Sequence, residues 1–210
     1  MRLYGFWRSG AAWRVRIALN LKGLAYDAAP VNLAEGEQNG AAYRAVNSQG
    51  LVPTLEVEDL RIGQSLAIIE WLDEKFPAPP LLPLHADARA VVRGLALAIA
   101  SDIHPLNNPR VQRALTAQFG ADDAQIAAWI ARWTTAGFDH VEAMIEKHGA
   151  GFAYGAAPTL ADCCLIPQVA SARRYGVDLG AYPRIVAVDA AAARHPAFVA
   201  ARPDMQPGAA

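Results

Sequence analysis

Cysteine is almost absent. The 210 residues hold two, Cys163 and Cys164, adjacent in an apolar segment. Neighbours in a helix point apart, so a mutual disulfide is implausible, and two thiols do not make a zinc site alone. A reduced, cytoplasmic protein is the simplest fit. Net charge is nearly absent too, at −1. That gives no long-range pull towards nucleic acid or an anionic membrane, and leaves any anion preference to a local cluster. No apolar run reaches the roughly 18 residues of a membrane span. Arg2 to Phe6 is too short for the apolar region of a signal peptide, and charge resumes at Arg8. Internal repeats are missing, as are low-complexity tracts beyond alanine richness. What is there is a core: 53% of residues are apolar and 19% charged, which speaks against disorder and suits one large domain or two small ones.

The N-terminal part alternates in type. Leu3 to Phe6 reads as a strand, Ala12 to Lys22 as a helix capped by Gly23, and Tyr26 to Val31 as a second strand. Ala41 to Val46 has the form of a short helix. Thr54 to Val57 and Leu60 to Ile62 read as a hairpin turning at Glu58-Asp59. Ser65 to Lys75 comes next as a helix, apolar at positions 66, 68, 69 and 72. The order is βαβ then ββα, a mixed sheet covered by helices.

The segment FPAPPLLPLHAD, residues 76 to 87, breaks this pattern with four prolines. They cannot continue a helix and they stiffen the chain. Strand signals vanish after it. Ala88 to Ile103, Val111 to Phe119, Asp123 to Lys147 and Leu160 to Tyr175 read as helices, and Ile185 to Ala193 as a shorter one ended by His195-Pro196. The tail RPDMQPGAA is expected to fray. The fold class is α+β, with a first domain over 1–80, a linker over 81–87 and an all-α domain over 88–210.

A small α/β half, a proline linker and a helical half form a recognisable plan. With the segments FWRSGAAWRVRIALNLKGL, NSQGLVPTLE, IGQSLAIIEWLDEKFP, LLP and APTLADCCLIPQV, the chain resembles the glutathione S-transferases, and within them the zeta class, over nearly its whole length. FWRSG, DIHPLNN and SARRYGVDL look more narrowly like the bacterial maleylpyruvate isomerases of gentisate breakdown. The resemblance implies a thioredoxin-like first domain, glutathione as cofactor and a homodimer. No interface stripe stands out in the sequence.

Each motif also has a plain structural reading. Ser9 can be a turn residue or N-cap. By resemblance it donates a hydrogen bond to the glutathione thiolate, at a helix end whose amides and dipole favour an anion. In Gly50-Leu51-Val52-Pro53, Pro53 can be a trans residue opening a strand. By resemblance it is cis, and Val52 offers its backbone N–H and C=O to the cysteinyl part of glutathione. Ser65 reads as the N-cap of its helix, and by resemblance Gln64 and Ser65 hold the γ-glutamyl carboxylate. Gln38 and Gln49 are weaker choices for the remaining glutathione contacts. Thr159-Leu160-Ala161-Asp162 is a capping box and carries no catalytic role.

The last constellation is basic: Arg8 beside Ser9, then His104, Asn108 and Arg110 around a break between helices, then Arg173-Arg174 at a helix end. A surface arginine is usually solvated, and Arg174 can be a C-terminal helix charge only. Taken together, on elements that border the substrate cleft in this family, they suit a dicarboxylate, with Arg8 and Arg174 on the substrate. His104, Asn108 and Arg110 go to the substrate or to the glutathione carboxylates. The activity implied is addition of a thiolate to a cis alkene, rotation, and expulsion, with glutathione regenerated.

The zeta-class opening usually reads R-S-S-C-S-W-R-V-R-I-A-L, and here Gly10 and Ala11 replace its second serine and its cysteine. Loss of that thiol argues against the related reductive dehalogenases and leaves Ser9 the only hydroxyl in the turn. Maleylacetoacetate isomerase is the close second reading, differing in substrate chain length. A general detoxifying transferase predicts an apolar electrophile site, against which the arginines argue. A non-catalytic assembly module predicts a damaged thiol site, which intact Ser9, Val52-Pro53 and Gln64-Ser65 oppose.

Overall fold

The computed structural model describes residues 1–209. It divides into two compact units, one of residues 1–82 with the segment from Ala193 onward, the other of residues 83–192.

The first unit is built on a four-stranded sheet in the order β2-β1-β3-β4. β1 (Arg2–Gly5) runs parallel to β2 (Asp27–Pro30) and antiparallel to β3 (Thr54–Val57), which pairs antiparallel with β4 (Leu60–Gly63). A parallel pair needs a crossover, and α1 (Gly10–Leu21) supplies it. α2 (Ala41–Arg44) and α3 (Ser65–Lys75) complete the unit's main helices. Eight consecutive residues of α1, Ala12 to Leu19, are buried, so it is covered on every side. Leu3, Val15, Ile17, Leu55, Ile68, Ile69 and Leu72 form the core. Lys22, just past α1, is buried with Asp73 of α3, its Nζ 2.8 Å from Oδ1. That ammonium also donates to the Phe76 and Pro79 carbonyls, and Asp73 accepts from the Leu81 and Leu82 amides. The proline segment is therefore pinned to both helices by one ion pair.

Three expectations change here. Ser65 is not the N-cap: Gln64 holds the cap position with φ 67°, and Ser65 is the first helical residue. The segment from Ala193 onward groups with the sheet unit instead of the helical half. Within it lies the short α9 (Pro196–Ala200), with Pro196 at its first turn, so His195-Pro196 starts a helix as well as ending one. The tail does not simply fray: Pro203–Met205 form a 3₁₀ turn, and Gln206 Nε2 donates to the Ala200 and Arg202 carbonyls.

The second unit is helical: α4 (Ala86–Leu97), α5 (Pro109–Phe119), α6 (Asp123–His148), α7 (Leu160–Arg174) and α8 (Pro183–Ala192). α4 does not run on as one α-helix to Ile103, as periodicity implies. Ala98–Ile103 form a π-helical turn in which the His104 amide reaches Ile99 C=O at 2.9 Å. Such a turn inserts a residue and re-aims the chain beyond it. α6 packs closely here, since a Cβ on Gly137 would stand 2.3 Å from Ile103 Cδ1. Buried along most of its length, α7 starts in the expected capping box: Asp162 accepts from the Thr159 amide at 2.8 Å and from the Ala153 amide at 2.7 Å. Cys163 and Cys164 are both buried there and neither forms a disulfide. Among the described residues no helix is long and apolar enough to cross a membrane.

Candidate active site

Register decides what meets at one end of the sheet. Thr54 pairs with Tyr4 on one side and Gly63 on the other. Antiparallel pairing then sets residues 52 and 53 beside the exit of β1, and beside 64 and 65. The turn carrying Arg8 and Ser9, the Val52-Pro53 bond and the start of α3 thus leave the sheet together.

Ser9 is the N-cap of α1. Its Oγ accepts from the Ala12 amide at 3.3 Å and its own amide donates to Phe6 C=O at 3.0 Å. The hydroxyl hydrogen remains to be donated. Arg8 is exposed, its guanidinium 5.4 Å from the Trp7 ring centroid.

The Val52-Pro53 bond is cis, as the resemblance implies. Its loop is held from below: Tyr43 Oη donates to Leu51 C=O at 2.7 Å and meets Thr54 Oγ1 at 2.9 Å. Asn47 Nδ2 bonds the same two groups, at 2.9 and 3.0 Å, while its Oδ1 accepts from the Gln49 amide. Burial pushes the Tyr43 phenol above its ordinary pKa, so it stays a neutral donor. Sequence reading passed over Asn47, although a side chain bonding two residues on is a known turn signal. Among the described residues, no hydrogen bond engages the Val52 amide or carbonyl.

Ser65 is buried, and its Oγ accepts from Arg14 Nη1 of α1 at 3.3 Å, again leaving its own O–H to donate. Gln64, exposed, donates to Gln49 Oε1 at 3.0 Å. Gln38 lies next to this loop, because a Cβ on Gly50 (φ 63°) would meet Gln38 C=O at 2.9 Å. The Gln38 Oε1 is buried and has no hydrogen-bond partner. The residues fit glutathione: an orphan acceptor, two serine hydroxyls, a bare backbone pair and a helix N-terminus suit a peptide bearing an amine, amides, carboxylates and a thiol.

In the second unit the π turn delivers the segment 104–108. Asn108 is the N-cap of α5, its Oδ1 accepting from the Arg110 amide at 3.1 Å. His104 is half-buried, and Arg110 is exposed. Gln112 Nε2 donates both to Asn107 C=O at 2.8 Å and to Tyr175 Oη at 3.1 Å, joining this segment to the end of α7. There the Arg174 guanidinium lies 5.0 Å from the Tyr175 ring centroid. Arg173 points elsewhere, into an ion pair with Asp189 at 2.6 Å. Of the two adjacent arginines, Arg174 is the one without a carboxylate partner among the described residues.

Family models of the glutathione S-transferase N-terminal and C-terminal domains match residues 3–80 and 123–200. The chain is 50% identical to a maleylpyruvate isomerase of a Ralstonia species over 212 residues, 100% of both chains. It is similar to the holo structure of a maleylpyruvate isomerase, described as a bacterial zeta-class glutathione S-transferase, with TM-score 0.98, 50% identity and full coverage of both. A maleylacetoacetate isomerase structure from Methylobacterium extorquens AM1, with bound malonate and glutathione, matches with TM-score 0.95 and 37% identity over all of both chains. A cis-proline loop at one end of the sheet and both domain models converge: the chain belongs to the glutathione S-transferase family.

Proposed function

We propose that this protein is a glutathione-dependent cis–trans isomerase that converts maleylpyruvate to fumarylpyruvate. The observation that carries the reading is full-length similarity, 50% over 100% of both chains, to a maleylpyruvate isomerase. Maleylacetoacetate is the second substrate reading, supported by a 46% identical relative of that name from Pseudomonas aeruginosa.

The chemistry is dictated by the bond to be rotated. Bound glutathione supplies a thiolate nucleophile. Its sulfur bonds to one alkene carbon, and the π electrons move onto the conjugated carbonyl as an enolate. The former double bond rotates, the enolate collapses, and the C–S bond breaks to return the thiolate. No proton or electron is consumed. In this assignment Ser9 donates to the sulfur anion, and Val52 pairs its backbone with the cysteinyl unit. Gln64 and Ser65 hold the γ-glutamyl carboxylate, and Gln38 and Gln49 take the remaining polar atoms. Arg8 and Arg174 bind the carboxylates and stabilise the enolate. His104, Asn108 and Arg110 contact the substrate or glutathione carboxylates. A homodimer in the reducing cytoplasm completes the reading. The family plan supports the dimer and two buried thiols support the compartment.

The test is turnover of maleylpyruvate and maleylacetoacetate side by side, each with and without glutathione. Equal rates without glutathione would end the mechanism. A preference for the longer substrate would exchange the two readings.

A further inference from the structure

Arg16, in the middle of α1, is 3% exposed and has no carboxylate against it among the described residues. Its guanidinium is used in two directions. Nη2 donates to Trp7 C=O at 2.9 Å, and Nε donates to Ala201 C=O at 3.0 Å. Trp7 opens the turn that carries Arg8 and Ser9. Ala201 closes α9, in the segment that the sequence assigned to the other half of the protein. The same segment is tied to α1 a second time, by Asn20 Nδ2 to Ala197 C=O at 3.0 Å. Residues further on, Gln206 and Pro207, line a cavity of about 30 Å³ together with Arg16 and Tyr26. Burial draws the Arg16 pKa down to about 10, still far above neutrality, so the cation is kept at a cost. An apolar residue would fill this position without that cost. A flat fork with several donors is what two carbonyls from distant parts of the chain need.

We infer that Arg16 is a positioning residue for the thiol site: it fixes the Trp7-Arg8-Ser9 turn against the C-terminal segment, so that docking of residues 196–206 and glutathione binding favour one another. This rests on the reading of Ser9 as the thiol-binding residue. The coupling is reciprocal by linkage.

The experiment uses the full chain. Arg16→Met removes both donors; Arg16→Lys keeps the charge without the fork. Asn20→Ala loosens the same segment and leaves Trp7 untouched. For Arg16→Met, the thiolate absorbance of bound glutathione at neutral pH is expected to fall and KM for glutathione to rise about three- to tenfold. Arg16→Lys should lie between it and the wild type. Asn20→Ala should lower Tm and, by the same linkage, raise KM for glutathione by less than Arg16→Met does, since Trp7 C=O keeps its donor. A folded Arg16→Met protein with wild-type absorbance and KM overturns the inference. Should Arg16→Met not fold, hydrogen exchange on the wild type decides. Glutathione is expected to slow amide exchange in residues 197–206, and unchanged exchange there overturns it. Calorimetry of glutathione binding to the wild type separates the two readings. No binding rejects the thiol site itself, whereas binding without protection rejects only the coupling.

Discussion

Gln112 Nε2 lies 3.1 Å from the hydroxyl of Tyr175, the residue whose ring faces the Arg174 guanidinium. One amide therefore joins the segment carrying His104 and Asn108 to the end of α7. Replacing it by leucine leaves Asn107 C=O and Tyr175 Oη without that donor and frees Arg174 to swing. For Gln112→Leu, kcat/KM for the maleyl substrate should fall about tenfold, with KM for glutathione unchanged. Steady-state kinetics with each ligand varied in turn checks this. An equal rise in the glutathione KM would show that the bridge serves the cofactor instead.

Ser9 is the only hydroxyl in its turn, since Gly10 and Ala11 come directly after it. A hydrogen bond to a charged group is worth about 1.5–3 kcal/mol, so Ser9→Ala should cut turnover about ten- to hundredfold at neutral pH. The loss should shrink as pH approaches the ordinary thiol pKa of about 8.5, where the thiolate forms unaided. A pH–rate profile measures this. Unchanged turnover would assign the thiolate to backbone amides and the helix dipole alone.

Burial pushes the Asp162 carboxyl up to about 6, against the opposing pull of hydrogen bonds from Ala153 and Thr159. The unfolded chain releases that proton near 3.9, so between these values the folded state binds more protons. The contribution of Asp162 is full below about pH 4 and is lost as pH rises through about 6. Asp162→Asn removes the titration and strands one amide donor. Its stability deficit against the wild type should therefore be larger at about pH 4.5 than at pH 7. Urea unfolding at both values tests the sign, and a gap that widens with pH would refute it.

Lys22 and Asp73 form a buried ion pair that also satisfies two carbonyls and two amides of the proline segment. Asp73→Ala leaves a buried ammonium unpaired, a loss of about 3–5 kcal/mol or on the order of 10 °C in Tm. Replacing both residues with apolar ones of similar volume should recover part of it. Calorimetric melting of the single and double variants is the measurement. An Asp73→Ala protein that melts with the wild type would mean the ion pair is dispensable.

Most elements were legible because their causes are local. Period, proline punctuation and capping residues lie within a few positions of one another, so the hairpin turn, the Ser9 N-cap, the Thr159–Asp162 box and the helical second half could be read from the chain. The Arg8-Ser9 turn and the cis-proline loop were legible through motifs that span under a dozen residues. Contacts between distant positions had no such trace. Nothing in Gln64 announces φ 67°, which displaced Ser65 from the cap. Nothing near Ala201 points to Arg16, and Gln112 looks like a solvated helix residue until Tyr175 is beside it. The amino-acid order thus determined which segments are helix or strand and which chemistry each end carries, since those depend on neighbouring residues. Tertiary structure alone decided which ends meet and what holds them. Pairing register, the π turn after Leu97 and the return of the C-terminal segment are set by packing among residues far apart in the chain.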